Sequence, residues 1–309
     1  MRTCTDTDRA PFLVAGATGR QGGSGLGVLK GLIDKGLPVR ALVRGLDKRA
    51  ENLRDLGAEV VVGDYMDYAS LLAALKDVKS AFFCYPVAPG IAEAAGMFAA
   101  AGRVQGLERV VDLSLGSTSP TAASPQVRAQ WVAEQIFEWA GFAGVHLRIA
   151  GFFMENVALI DGYSIRNMGL MANAFGEVPL SWISGADVGA MAAALIADPS
   201  LTSDRIVTSG GVERLNYGQV AATVSKVLGR PIPYHELTPA AWRDALISAS
   251  ATVGEPNVRG ADHLVAQAIA IRSRKETPVT DLVRKFTGRA PTSFARFIEN
   301  RRAEFAPAS

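Results

Sequence analysis

Short, continuous apolar runs alternate with helical patterns through the first half of the chain. Residues 12–15, 39–43, 59–62, 81–85, 109–113 and 145–149 have the length and branched or aromatic content of strands. They show no in–out alternation, as expected for strands of a parallel sheet covered on both faces. Between them, Leu26, Leu29, Leu32 and Ile33 recur at helical spacing, and Gly36 ends that run. Asp67 can cap the run from Tyr68 to Leu75. Ser124 before Pro125 is a good start for a helix over 126–140 that Gly141 closes. Strand and helix in strict alternation predict a doubly wound parallel sheet with right-handed crossovers.

After Ile149 the rhythm changes. Asp187 reads as the cap of a helix to Ala197, residues 205–208 as a short strand, and Asn216 as the cap of a helix to Leu228, ended by Gly229. Residues 231–237 read as a further strand, and 239–305 as mostly helical. The expected architecture is α/β. A Rossmann-type domain spans 10–150, and a smaller, mostly helical substrate-covering part spans 151–309. Elements near 187–208 are candidates to rejoin the Rossmann sheet.

Composition narrows the function classes. The chain has 309 residues, 49% apolar and 20% charged, enough to fill a large core. Net charge is +2, from 32 basic and 30 acidic residues, which argues against direct nucleic-acid binding. Two cysteines and three histidines argue against a disulfide framework or a zinc cage, so no metal site is expected. No apolar run approaches the roughly 20 residues of a membrane span. The first nine residues lack the apolar stretch of a signal peptide, so the expected location is cytoplasmic.

The most informative segment runs from Phe12 to Gly22. Gly16, Gly19 and Gly22 keep Gly-x-x-Gly-x-x-Gly spacing after an apolar strand and at the start of a helix. Such a turn lets the backbone approach a pyrophosphate, and the helix N-terminus supplies N–H donors; this context predicts dinucleotide binding. At the tip of the second strand an NAD site would place an acid on the ribose 2′-hydroxyl. Here Arg44 stands at the tip, Lys48 lies one turn on, and Arg20 sits in the glycine loop. Together they suit the 2′-phosphate of NADP(H). Asp64, ending the third strand, is placed to accept from the adenine amino group, with Tyr65 or Met66 along the ring; an ordinary turn Asp is the competing reading.

Gly16-Ala-Thr-Gly-Arg-Gln-Gly22, Leu42-Val-Arg44, Gly63-Asp64 and Gly151-Phe-Phe-Met-Glu-Asn156 together resemble the NmrA-like proteins, which are atypical short-chain dehydrogenase/reductases. The resemblance extends to Ser184-Gly-Ala-Asp187-Val-Gly189, Gly229-Arg-Pro231 and the stretch from Thr287 to Phe294. It implies a Rossmann domain with a smaller part over the nicotinamide end. It implies that Gly16, Thr18, Gly19, Arg20, Gln21 and Gly22 hold the phosphates, Arg44 and Lys48 the 2′-phosphate, and Asp64 and Tyr65 the adenine. Tyr85 and Pro86 would border the nicotinamide ribose, and Phe153 and Asn156 the nicotinamide and substrate end. Family members include NADPH-dependent reductases of small molecules and NADP(H)-binding regulators.

The usual catalytic machinery is missing. Standard short-chain dehydrogenases use Tyr-x-x-x-Lys, in which the Lys lowers the Tyr pKa. No tyrosine here has a Lys four residues later, and no Lys lies between Lys79 and Lys226. The helix after Ser124 offers Arg128, Gln130 and Glu134 instead. Ser114 either faces the nicotinamide or finishes a strand. His146 alternates inside a strand, which favours a structural role. Tyr163 and His235 are candidates to protonate a product, against the readings of a packed aromatic and a surface histidine. Cys84 lies in an apolar strand and reads as inert. Trp182, Tyr234 and Trp242, with Tyr163, are available to line a cavity. No catalytic residue is assigned. The expectation is an NADPH-dependent oxidoreductase acting on an activated quinone, enone or imine, since hydride transfer depends mainly on positioning. The alternative is a non-enzymatic NADP(H) redox sensor acting through a protein partner.

Overall fold

The computed structural model describes residues 10–19, 23–251, 257–273 and 277–306. The first half contains β1 (Phe12–Ala15), α1 (Ser24–Ile33), β2 (Val39–Val43), α2 (Lys48–Asp55), β3 (Glu59–Val62), α3 (Tyr68–Ala74), β4 (Ser80–Phe83), α4 (Ile91–Gln105), β5 (Arg109–Leu115), α5 (Pro125–Trp139) and β6 (Ala143–Ile149). The second half adds β7 (Phe152–Phe153), a π-helical turn (Val157–Asp161), α6 (Gly162–Asn167), β8 (Met171–Asn173), β9 (Leu180–Ile183), α7 (Gly185–Ala197), β10 (Ile206–Ser209), β11 (Glu213–Leu215), α8 (Tyr217–Leu228), β12 (Tyr234–Glu236), α9 (Pro239–Ala251), α10 (Val258–Arg272), α11 (Leu282–Thr287) and α12 (Phe294–Asn300).

Seven strands form one sheet in the order β10-β6-β5-β4-β1-β2-β3, with every pairing parallel. This is the Rossmann-type doubly wound sheet. Its strand order reverses direction between β1 and β4, the place where open α/β sheets bind ligands. Side chains alternate between two cores, as the strand period of two requires. Val14 and Phe82 pack with α1, α2 and α7, whereas Leu13, Ala15, Ala81 and Phe83 pack with α3, α4 and α5.

The edge strand β10 lies parallel to β6, with Ile206 opposite His146, so the chain returns to the sheet well after residue 150. Preceding it, α7 lies against α1 with backbones almost touching. A Cβ on Gly189 would lie 2.5 Å from the Ser24 carbonyl oxygen and 2.6 Å from the Gly27 Cα. The helix itself is capped by Ser184, whose Oγ accepts from the Asp187 amide, rather than by Asp187 as expected. Asp187 is buried in the first turn, takes a hydrogen bond from Ser184 Oγ and accepts from the Thr292 amide.

The rest of the second half carries more sheet than expected. A three-stranded sheet, β11-β9-β7, and a two-stranded one, β12-β8, surround a third core. Trp182, Trp242, Tyr217 and Phe175 fill that core, with Phe175 stacked on Tyr217 at 5.1 Å. Tyr234 packs against it. Trp182, Trp242 and Tyr234, available from sequence for a cavity wall, therefore belong to the core instead. Among the described residues, no helix is long and apolar enough to cross a membrane.

Candidate functional site

The glycine turn follows β1. Gly16 has φ +105°, and a Cβ there would lie 2.8 Å from the Cys84 carbonyl oxygen, so only glycine lets β1 and β4 end this close together. The Gly19 amide donates to the Gly16 carbonyl at 3.0 Å and closes the turn. Arg20, Gln21 and Gly22 lie outside the described residues.

A cleft of about 510 Å³ opens over the ends of β1 to β4. Gly16, Thr18 and Gly19 form its floor, and Arg44, Asp64, Tyr65, Tyr85 and Pro86 also line it. These cofactor candidates, scattered over seventy positions of sequence, are thus brought together. Tyr65 is fixed by its hydroxyl, which donates to the Cys84 carbonyl at 3.0 Å, and by ring contact with Tyr85 at 5.5 Å. The Tyr85 hydroxyl donates to the Pro89 carbonyl. One Asp64 carboxylate oxygen accepts from the Met66 amide at 2.8 Å, forming a turn that carries Asp64 at the cleft wall.

Lys48 starts α2 but is not among the cleft's lining residues; Arg49 and Asp47 are. Asp47 caps α2 by accepting from the amides of Arg49 and Ala50. Its other oxygen takes the Arg49 guanidinium, and Arg49 Nη1 reaches the Thr18 carbonyl at 3.2 Å. The Arg49 side chain, then these amides, hold Asp47 below the usual carboxylate range. An acid does stand near the tip of β2, then, and it is already matched by a cation. The pattern Asp47-Lys48-Arg49-Ala50 carries this signal, as an N-cap whose first-turn residues face back to the loop.

Pro86 also lines a second cavity, of about 370 Å³, so the two adjoin there. This cavity sits beyond the ends of β4, β5 and β6. Val87, Leu115, Ile149, Phe152 and Phe153 wall it from the sheet side. Asn156 and Leu159 close it from the segment after β7, and His263, Leu264, Gln267 and Ile271 from α10. The Phe-Phe-x-Glu-Asn stretch divides its labour. Phe153 and Asn156 face the cavity, Met154 is buried in the third core, and Glu155 accepts from the Gly185 amide at the start of α7. Burial raises Glu155 to about 7. Tyr163, expected at the substrate end, is 61% exposed and not among the lining residues. On α6 it stands nearly opposite the buried Ile165, so the helix turns it to solvent.

The remaining polar candidates at the end of β4 and on β5, β6 and α5 are structural. Ser114 is buried and bonds to Glu134 and Thr118, away from the cavity lining. Gln130 donates to the Leu113 carbonyl, and Arg128 to the carbonyls of Ala122 and Ala123. His146 donates to Asp112 through Nδ1 and to Glu138 through Nε2 at 2.8 Å. Burial opposes its charge, but Asp112, Glu134 and Glu138 outweigh that and raise it to about 9. Asp112, Glu134 and His146 come within metal-binding distance of one another. The protonated His146 and the Arg148 guanidinium on Glu134 already balance the carboxylates, which makes the cluster an ion network tying α5 to β5 and β6. Burial pushes the Cys84 thiol up to about 12, which keeps it a poor nucleophile.

A doubly wound sheet with a glycine turn at its switch point, and a cavity over the next strand ends, defines a dinucleotide-binding α/β protein. The model of the NmrA-like family matches residues 10–259, and the chain belongs to that family. It is 31% identical over 301 residues to (4-alkanoyl-5-oxo-2,5-dihydrofuran-3-yl)methyl phosphate reductase of Streptomyces griseus, covering 96% of this chain and 99% of the relative. It is 28% identical over 299 residues to an NAD(P)H azoreductase of Xenophilus azovorans, covering 96% and 100%. Its fold matches an Escherichia coli NADPH-dependent quinone oxidoreductase solved with NADPH. That match has a TM-score of 0.77 and 23% identity, and covers 94% of this chain and 99% of the other.

Proposed function

We propose that the chain is an NADPH-dependent oxidoreductase that reduces an activated small molecule such as a quinone, enone or imine. The observation that carries this reading is that two sites adjoin at Pro86: a dinucleotide-sized cleft lies beside a mainly apolar cavity at its far end. The residues present fit the cofactor. Gly16, Thr18 and Gly19 would lie under the pyrophosphate, Arg44 would meet the 2′-phosphate, and Asp64 with Tyr65 would hold the adenine. Arg20 and Lys48 are further candidates for the phosphates. Pairing of Asp47 with Arg49 removes the repulsion that a lone acid would exert on a 2′-phosphate. Tyr85 and Pro86 would border the nicotinamide ribose, with Phe153 and Asn156 at the acceptor.

NADPH, when bound, supplies a hydride. The chain's part is to hold the acceptor flat between Phe153, Leu115 and the α10 face, to exclude water with those apolar walls, and to aim the few polar groups, Asn156 among them, at the acceptor's heteroatoms. Full reductase relatives of the same length support this reading over a purely regulatory one. The test is loss of reduced nicotinamide absorbance when purified protein meets NADPH and a panel of quinones, enones and imines. Turnover with at least one class is expected; tight NADPH binding with no turnover on any acceptor would contradict the proposal.

A further inference from the structure

We propose that His263 is the proton donor to the acceptor, held in place by Ser124. The assignment rests on the reductase reading and fills the role that the missing Tyr-x-x-x-Lys motif leaves open.

Three observations converge on it. First, of all the described side chains lining the acceptor cavity, His263 is the one that titrates near neutral pH; the others are apolar, amide or hydroxyl groups. Second, its position is built by the helix. Gly260, His263, Leu264, Gln267 and Ile271 fall at helical spacing on α10, so a single stripe faces the cavity and His263 stands one turn in from its start. Third, the ring is oriented. His263 Nδ1 lies 3.1 Å from Ser124 Oγ, across 139 positions of sequence. Ser124 precedes α5 as its N-cap yet makes no side-chain capping bond, so its hydroxyl is available to the histidine. Ser124 is itself 5% exposed.

This arrangement separates the two ring nitrogens. The Nδ1–H of the imidazolium donates to Ser124 Oγ and stays in place. Nε2 is the nitrogen that gives up its proton. In the reduction, the acceptor gains a hydride from a reduced nicotinamide, and the electron pair of its C=O, conjugated C=C or C=N bond moves to the heteroatom. The Nε2–H bond breaks and an O–H or N–H bond forms on that heteroatom. The ring then regains a proton from water through the open side of the cavity. Burial lowers His263 from its ordinary value, which makes the imidazolium a readier donor. Among charged groups on the surrounding elements, Arg243 of α9 pairs with Asp262, Arg272 with Glu236, and Arg128 of α5 donates to backbone carbonyls.

The experiment compares wild type, His263→Gln and Ser124→Ala with NADPH and 1,4-naphthoquinone. It reads kcat against pH, NADPH affinity by fluorescence, and the histidine ring NMR signals, which number only three. In the wild type, kcat falls as pH rises through a value below 6.5, because the donor is the protonated form. His263→Gln loses on the order of 100-fold in kcat and that pH limb, with NADPH affinity within about twofold. Ser124→Ala loses less and shifts the limb. The ring signal absent from His263→Gln moves when 1,4-naphthoquinone is added without NADPH. A His263→Gln variant that keeps the wild-type rate and pH profile, or a His263 signal indifferent to the quinone, overturns the assignment and leaves the reductase reading standing. A wild type that binds NADPH and reduces no acceptor overturns both.

Discussion

Asp161 is 1% exposed, and one of its oxygens has no hydrogen-bond partner among the described residues. Burial raises it to about 7, against the pull of Asn173. For an acid whose folded value is raised, the stabilising form is the protonated one. Its contribution is complete below the unfolded value of 3.8 and is lost as pH rises to about 7. Asp161→Asn should therefore be more stable than wild type at about pH 8, by on the order of 2–4 kcal/mol, with the gap closing toward about pH 4. Urea unfolding at the two pH values reads this directly, and a pH-independent difference would sink it. In the proposed reading, Arg44 is the residue on which cofactor choice turns. Arg44→Ala should weaken NADPH by about tenfold or more and NADH by less than about twofold, since only NADPH has a phosphate to lose from the pair. Equal losses in titrations of the two nucleotides would remove the 2′-phosphate assignment. Arg44 was readable from its place after an apolar strand. Arg49 was not, because its role depends on the Asp47 cap folding it back toward Thr18.

At the scale of elements, local signals carry the strands of the first half and most helix caps. Asn216 forms the expected cap with Gln219, and Gly229 ends α8 in the left-handed conformation. What local pattern could not convey was which helices meet. The pairing of α1 with α7 depends on small residues at Gly27, Gly31 and Gly189, and no local pattern pairs these positions across the two helices. Gly189→Ala should destabilise the protein by about 1–3 kcal/mol, because the added methyl meets backbone on α1 that cannot move aside. A melting temperature equal to wild type would show that the helices can separate at no cost. The α10 stripe was hidden for a related reason. Its His263 gains meaning only from Ser124, 139 positions away, and Trp182 and Trp242 could not be told from cavity walls until their partners in the core were known.

For the whole molecule, the sheet order sets where chemistry can occur. The cleft lies at the reversal beside β1, and the second cavity, the proposed acceptor site, lies one step along the same edge, over β4 to β6. Residues supplied by the second half, Phe153, Asn156 and His263, roof that step. The doubly wound fold was therefore plain from alternating apolar runs, and the nucleotide side from a short contiguous motif. The acceptor side was only half visible, since it is assembled from segments that meet late in the chain. In the proposed reaction, hydride passes from NADPH to a molecule in that roofed cavity. The most direct measurement mixes the protein with NADPH deuterated at the nicotinamide C4 and an activated enone, and follows the label by mass spectrometry. Deuterium is expected on the carbon skeleton of the reduced product, in step with nicotinamide oxidation. Bound NADPH that keeps its label, with this enone and with the quinones and imines alike left unreduced, would contradict it.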